Sequence, residues 1–374
     1  MLIQLAATGL LVALLPLVIV WVSSDADKYR KLVWVTLFLT FDLIMFGAFT
    51  RLTDSGLGCP DWPGCYGKAN PLQAHADISA AEAAMPTGPV TVMKAWIEML
   101  HRYLAMCIGV LIIALMVLAW RRWWKSGVKD AKFAPALPTI LFAFVCLQGA
   151  FGAWTVTMKL QPVIVTTHLL LGMSLLALLT WLGARQSDHP PVSQSAVALR
   201  IPAILTAVLL MVQVALGGWV SSNYAALACT DFPLCQSVLL PPMDFTNGFT
   251  LWRNLGMTSK GEYLAFPALT AIHWTHRVFA FVVVALVAWT ALRARKIEGL
   301  SKTARWLLIM ITLQFALGVS TVFMSLPLAL AVAHNGGAAL LLLLLTMLNY
   351  KICAASGAAS SPDATQSSGN CSDR

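Results

Sequence analysis

Nine apolar stretches dominate the chain, at about 3–22, 32–50, 95–120, 136–157, 163–183, 200–220, 268–294, 304–324 and 327–350. Each is about as long as a helix must be to cross the hydrocarbon core of a bilayer. Backbone groups in lipid have to bond one another, so every stretch is expected to be helical. Composition agrees: 59% of the 374 residues are hydrophobic and 11% are charged, whereas soluble globular chains are about 25% charged. That argues against a soluble enzyme, a nucleic-acid binder or a disordered scaffold. The expected fold class is an all-α polytopic membrane protein.

Lys and Arg set the expected orientation. Alternate connections hold Lys28, Arg30, Lys31, Arg121, Arg122, Lys125, Lys129, Lys132, Arg185, Arg200, Arg293, Arg295, Lys296, Lys302, Arg305, Lys351 and Arg374. The opposite connections hold Arg51, Lys68, Lys94, Lys159, Arg253 and Lys260. The richer side should be cytoplasmic. The long loops 51–94 and 221–267 should then face outward, and the net charge of +9 reflects basic cytoplasmic loops. The first stretch lacks a basic leader and a small-residue cleavage site, so it is expected to be a retained helix. The 351–374 segment, small and polar after Lys351, is expected to be a disordered cytoplasmic tail.

The chain repeats itself. GAFTRLTDSGLGCPDWPGC at 47–65 aligns without a gap on GGWVSSNYAALACTDFPLC at 217–235. Gly47, Leu57, Cys59, Asp61, Pro63 and Cys65 coincide with Gly217, Leu227, Cys229, Asp231, Pro233 and Cys235. Glu98-x2-His101-Arg102 aligns with His273-x2-His276-Arg277. Gln148-x3-Gly152 before His168 aligns with Gln314-x3-Gly318 before His334. The reading is two pseudo-symmetric four-helix transmembrane bundles, at 32–183 and 184–350, preceded by an extra N-terminal helix and linker at 1–31. An even number of helices per repeat makes the repeat parallel, with its axis along the membrane normal.

Cys59/Cys65 and Cys229/Cys235 form a C-x5-C pair in each outer loop. Such a pair could ligate metal, and a redox role is open for the first; in an oxidising compartment a disulfide is the simpler reading. Cys107 and Cys146 lie within spans and read as core residues. Cys353 and Cys371 should be cytoplasmic and reduced. His75 and His189 read as solvated loop residues.

His101, His168, His276 and His334 each lie five to eight residues inside the outer end of an inward-running span. At 1.5 Å per residue this is a shared depth of about 10 Å. Ionisable groups in the membrane are costly and are usually functional. Two facing imidazoles in a helical bundle can hold a haem iron axially; zinc or copper would ask for three or four ligands. Two pairs in two halves point to two bis-histidine haems. Glu98 stands where the other half has His273, on the same helix face as the next histidine. A carboxylate there can move protons or stabilise positive charge; the alternative is a carboxylate merely paired with Arg102. Arg102 and Arg277 could contact haem propionates or extend to the interface.

From residue 32 to about 350 the chain resembles the bacterial haem A synthase family. The resemblance rests on Thr50-Arg-Leu-Thr-Asp-Ser-Gly-Leu-Gly-Cys-Pro-Asp-Trp-Pro, on Glu98-x2-His101-Arg102, and on His168, His276-Arg277 and His334. It implies oxidation of the C8 methyl of haem O to the formyl of haem A through an alcohol. It implies that His101 and His168 hold the substrate haem, that His276 and His334 hold a haem b cofactor, that Glu98 is the essential acid, and that Cys59 and Cys65 are the family's outer-loop pair. It further implies a multi-pass protein of the bacterial inner membrane that works with haem O synthase and serves haem–copper oxidase assembly. A homo-oligomer is compatible with all of this. Two other classes fit the spans and histidines: a quinol-linked dihaem b-type electron carrier, which needs no Glu98, and a haem transporter or chaperone.

Overall fold

The computed structural model describes residues 1–125 and 134–359. Lys129, Lys132, Cys371, Arg374 and the rest of 360–374 lie outside the described residues; residues 351–359, expected to be part of a disordered tail, are helical, because the last span runs on past Lys351. Nine helices among the described residues are long and apolar enough to cross a membrane. They are α1 (Leu2–Val22), α2 (Lys28–Leu52), α4 (Val92–Lys125), α5 (Ala136–Thr157), α6 (Pro162–Arg185), α7 (Arg200–Ser222), α9 (Phe266–Ala294), α10 (Ser301–Phe323) and α11 (Leu328–Ala359). The expected spans fall on these nine, and the chain is a multi-pass membrane protein. Two short helices, α3 (His75–Ala84) and α8 (Phe245–Gly248), lie in the long loops.

Local chemistry sets several helix starts. The Asp27 side chain accepts the N–H of Arg30 at 3.1 Å and caps α2. Prolines occupy the first turns of α6 and α9, where no N–H is needed. Between α5 and α6 the chain reverses through Lys159 and Leu160 with φ of 49° and 58°; between α10 and α11 it does so through Ser325 and Leu326 with 56° and 63°.

Helices α2, α4, α5 and α6 neighbour one another in a closed ring, and so do α7, α9, α10 and α11. This fits the expected pair of four-helix bundles. The halves meet where α2 and α6 pack on α11 and α6 packs on α7. Two polar contacts there join residues 170 positions apart, the offset of the repeat. Arg51 Nη2 donates to the Ser221 carbonyl at 2.7 Å, and the Tyr224 hydroxyl donates to Asp54 at 2.6 Å. Arg51 aligns with Ser221, and Asp54 with Tyr224. Counterparts that touch each other must sit at a pseudo-two-fold axis. Helix α1 has no counterpart; it lies outside the first ring against α4 and α2.

The main core runs through both halves, with Leu111, Leu115, Leu176, Leu179, Val287 and Leu345 buried. A satellite core under the first long loop gathers Leu5 of α1, the Cys59 and Cys65 side chains, Ile78, Met99 and Tyr103. Polar contacts tie helices where hydrophobicity cannot: Thr206 and Thr290 hydroxyls meet at 2.9 Å between α7 and α9. Three expectations change. Cys146 is exposed on the outside of α5, because its helix turns that face away from the ring. His189 bonds the Ala184 carbonyl at 2.8 Å, since the chain folds back over the end of α6. Cys353, expected as a free thiol, is disulfide-bonded.

Candidate functional site

The four intramembrane histidines occupy one repeated setting. His101 on α4 and His168 on α6 come from diagonal corners of the first ring, as His276 on α9 and His334 on α11 do in the second. Each imidazole lies against a glycine of the neighbouring helix. A Cβ placed on Gly47, Gly152, Gly217 or Gly318 would come within 3.1, 3.2, 3.1 and 3.0 Å of Cε1 of His101, His168, His276 and His334 respectively. The absent side chain is what lets the ring lie there. Three of the rings also meet a glutamine amide. Gln148 Nε2 is 3.4 Å from His168 Nε2, Gln314 Nε2 is 3.4 Å from His334 Nε2, and Gln213 Nε2 is 3.1 Å from His276 Nδ1. Gln213 and Gln314 also donate to the backbone carbonyl of their histidine. His101 has no such partner, because Leu43 stands where the second half has Gln213.

One turn outward the halves share a second device. In the first half a Glu98 oxygen accepts the Cys59 N–H at 2.8 Å, and the other pairs with Arg102. In the second, His273 stands in the same place, its Nδ1 3.3 Å from the Cys229 nitrogen and its Nε2 3.1 Å from Arg277 Nε; a neutral imidazole accepts through one of the two. Each arginine then clasps the loop above it. Arg102 donates to the carbonyls of Asp61, Pro63 and Gly64; Arg277 donates to those of Cys229, Asp231 and Leu234. The loops are closed by disulfides Cys59–Cys65 and Cys229–Cys235, with sulfurs 2.04 and 1.96 Å apart. The Asp61 side chain accepts from Tyr66 and Gly67 N–H, and Asp231 from Gln236 and Ser237 N–H. At Asp231 burial acts upward on the carboxyl, but the Ser237 and Gln236 N–H groups outweigh it and hold it below its usual range.

Glu98 is thus 4% exposed and ion-paired. Arg102 and Arg277 are occupied by loop carbonyls at the positions where propionate contact was expected.

A cavity of about 440 Å³ opens in the second half, the size of a small-molecule or cofactor pocket. Both His276 and His334 line it, with Gln213, Gln314, Gly217 and Gly318 beside them. Its walls deeper in the bundle include Met173, Leu210 and Leu341; its outer end includes Arg51, Asp54, Tyr224 and Arg277. Burial pushes the Tyr224 hydroxyl above its usual range, with Arg51 acting against this. The setting fits a haem. Two imidazoles face an apolar slot, and Nδ1 of His334, like that of His101 and His168, is sealed without a hydrogen-bond partner. Among the described residues no cluster of three or more His, Cys, Asp or Glu could hold a bare metal ion. Iron carried in a macrocycle needs only two axial ligands from the protein.

The sequence reading brought forward the histidines, Glu98, the arginines and the cysteines. It missed Gln213 and Arg51. The glycines were visible as matches between the halves, without a role.

Comparison with known proteins places these features in a family. Residues 30–346 match the family model COX15-CtaA, described as cytochrome oxidase assembly protein. A haem A synthase of Shewanella oneidensis is 39% identical over 326 residues, covering 86% of this chain and 96% of the relative. One from Rhodopseudomonas palustris strain BisB5 is 31% identical, covering 81% and 85%. One from Bradyrhizobium diazoefficiens is 28% identical, covering 91% and 97%. With the match spanning both rings and all four histidines, this chain belongs to the COX15-CtaA family of cytochrome oxidase assembly proteins, the family of the haem A synthases.

Proposed function

We propose that this protein carries out the oxidative step of haem A biosynthesis, converting the C8 methyl of haem O to a formyl group through an alcohol. The observation that carries this is a repeated histidine site in which Glu98 of one half stands where the other has His273. Two sites built alike, one with a carboxylate added, suit one haem that is changed and one that is kept. In this reading residues 32–183 hold haem O between His101 and His168. Residues 184–350 hold haem b between His276 and His334, with residues 1–31 as an added helix and linker and 351–374 as a tail.

Bound haem b supplies one-electron transfer chemistry. The chain's own residues do the rest. The glycines give the imidazoles their places, and the glutamines orient three of them. The rings exclude water, so charge formed at the substrate methyl is costly unless it is met. Glu98, one turn from His101, is placed to accept the proton released there. Its contacts with Arg102 and the Cys59 N–H fix where its carboxyl group lies. The basic ends of the helices favour a bacterial inner membrane setting, with both disulfide loops outside. Haem O synthase would supply the substrate, and a haem–copper oxidase would receive the product.

The test is pigment analysis of the purified protein, with and without co-expressed haem O synthase. Haem A or its alcohol precursor beside haem B is the expected result with the partner. Haem B alone under both conditions would instead favour a dihaem electron carrier.

A further inference from the structure

We propose that Arg51, at the end of α2 in the first half, holds the carboxylate edge of the haem seated in the second half, and so marks that site as the retaining one. The inference rests on the two-haem reading above. The second-half cavity is graded, apolar at depth and polar at its outer end. A haem has the same grading, with an apolar ring and two propionates on one edge. Two cations line the cavity, Arg51 and Arg277. Arg277 is largely committed: its Nε points at His273 and its terminal nitrogens at three loop carbonyls, four contacts for five N–H groups. Arg51 has more to give. Its Nη1 meets Asp54 at 3.0 Å and its Nη2 meets the Ser221 carbonyl, two contacts for five N–H groups. A guanidinium at the mouth of an apolar cavity with N–H groups to spare suits a carboxylate. The guanidinium lies 4.2 Å from the centre of the Tyr224 ring, which fixes its plane. Asp54, its competing carboxylate, is 54% exposed and can turn to water.

The pseudo-symmetry makes this one-sided. Arg51 of the first half lines the second cavity, and the residue aligned with it in the second half is Ser221, which carries no charge. On this reading the haem that stays is clamped by the opposite half, and the aligned position offers no such charge to the haem that leaves as product.

The test uses the full chain with His101→Leu, so that only the second histidine pair is complete. It is purified from cells starved of haem, so that the second site is empty, and is titrated in detergent with iron protoporphyrin IX and with its dimethyl ester, following the Soret band. This parent should bind the free acid about tenfold more tightly than the ester, as one charge-assisted contact allows. Arg51→Gln should remove that preference, Arg51→Lys should keep part of it, and Asp54→Asn should keep all of it. Equal binding of acid and ester by the parent overturns the clamp and leaves the haem reading standing, and that comparison needs no Arg51 variant to fold. An undiminished preference in Arg51→Gln overturns it equally. If the parent binds neither compound, the haem reading falls and this inference with it.

Discussion

Glu98 and His273 show how one position can carry a shared duty and a private one. Glu98 accepts the Cys59 N–H and pairs with Arg102; His273 lies between the Cys229 N–H and Arg277 and accepts from one of them. The shared duty is to latch a disulfide loop onto the helix. Removing one partner of a buried ion pair costs about 3–5 kcal/mol, so Glu98→Ala would confuse the latch with the chemistry. Glu98→His separates them, because in the second half a histidine stands in the same place between the loop and the arginine. We expect this variant to fold and to hold haem at both sites, yet to yield no haem A; Glu98→Gln should behave alike, with haem O or the alcohol accumulating. Pigment analysis against wild type decides it. Normal haem A from Glu98→His would reduce Glu98 to a latch.

At the scale of elements, the glycine under each histidine is the sharpest constraint. Gly152 and Gly149 lie one turn apart on α5, and only Gly152 faces a ring: a Cβ at Gly149 would meet nothing within 4 Å. Gly152→Ala should therefore displace His168 and cut haem A formation at least tenfold, while Gly149→Ala should leave it within twofold of wild type. Product per unit of purified protein is the measurement, and equal effects would remove the packing argument. This pair also marks where sequence reading reaches its limit. The spans were legible because lipid demands long apolar runs, and the repeat was legible because rare residues recur in register. Gly152 and Gly318 recur too, but which face of a helix meets an imidazole depends on how neighbouring helices are rotated. Gln213 carried no signal of that sort, because Leu43 replaces it in the other half. Arg51 read as a loop-side cation, since its place against the second cavity follows from the contact of α2's end with that of α7.

At the scale of the whole molecule, the two halves share a scaffold and divide the work, and the division should be visible in stability. A ligand bound at 100 times its dissociation constant stabilises the folded state by about 2.7 kcal/mol. A retained haem therefore supports its ring permanently, whereas a substrate haem does so only in passing. His276→Leu and His334→Leu should lose the b-type haem and lower the melting temperature of the purified protein by several degrees. His101→Leu and His168→Leu should keep that haem and most of the melting temperature, and should make no haem A. The halves also touch through Arg51, Ser221, Asp54 and Tyr224. Emptying the second site should thus loosen the first, while emptying the first should leave the second intact. Thermal melts monitored with haem-type analysis across the four variants test this one-way dependence. If all four lose the same haem and the same stability, the assignment of haem O to one half and haem b to the other is wrong.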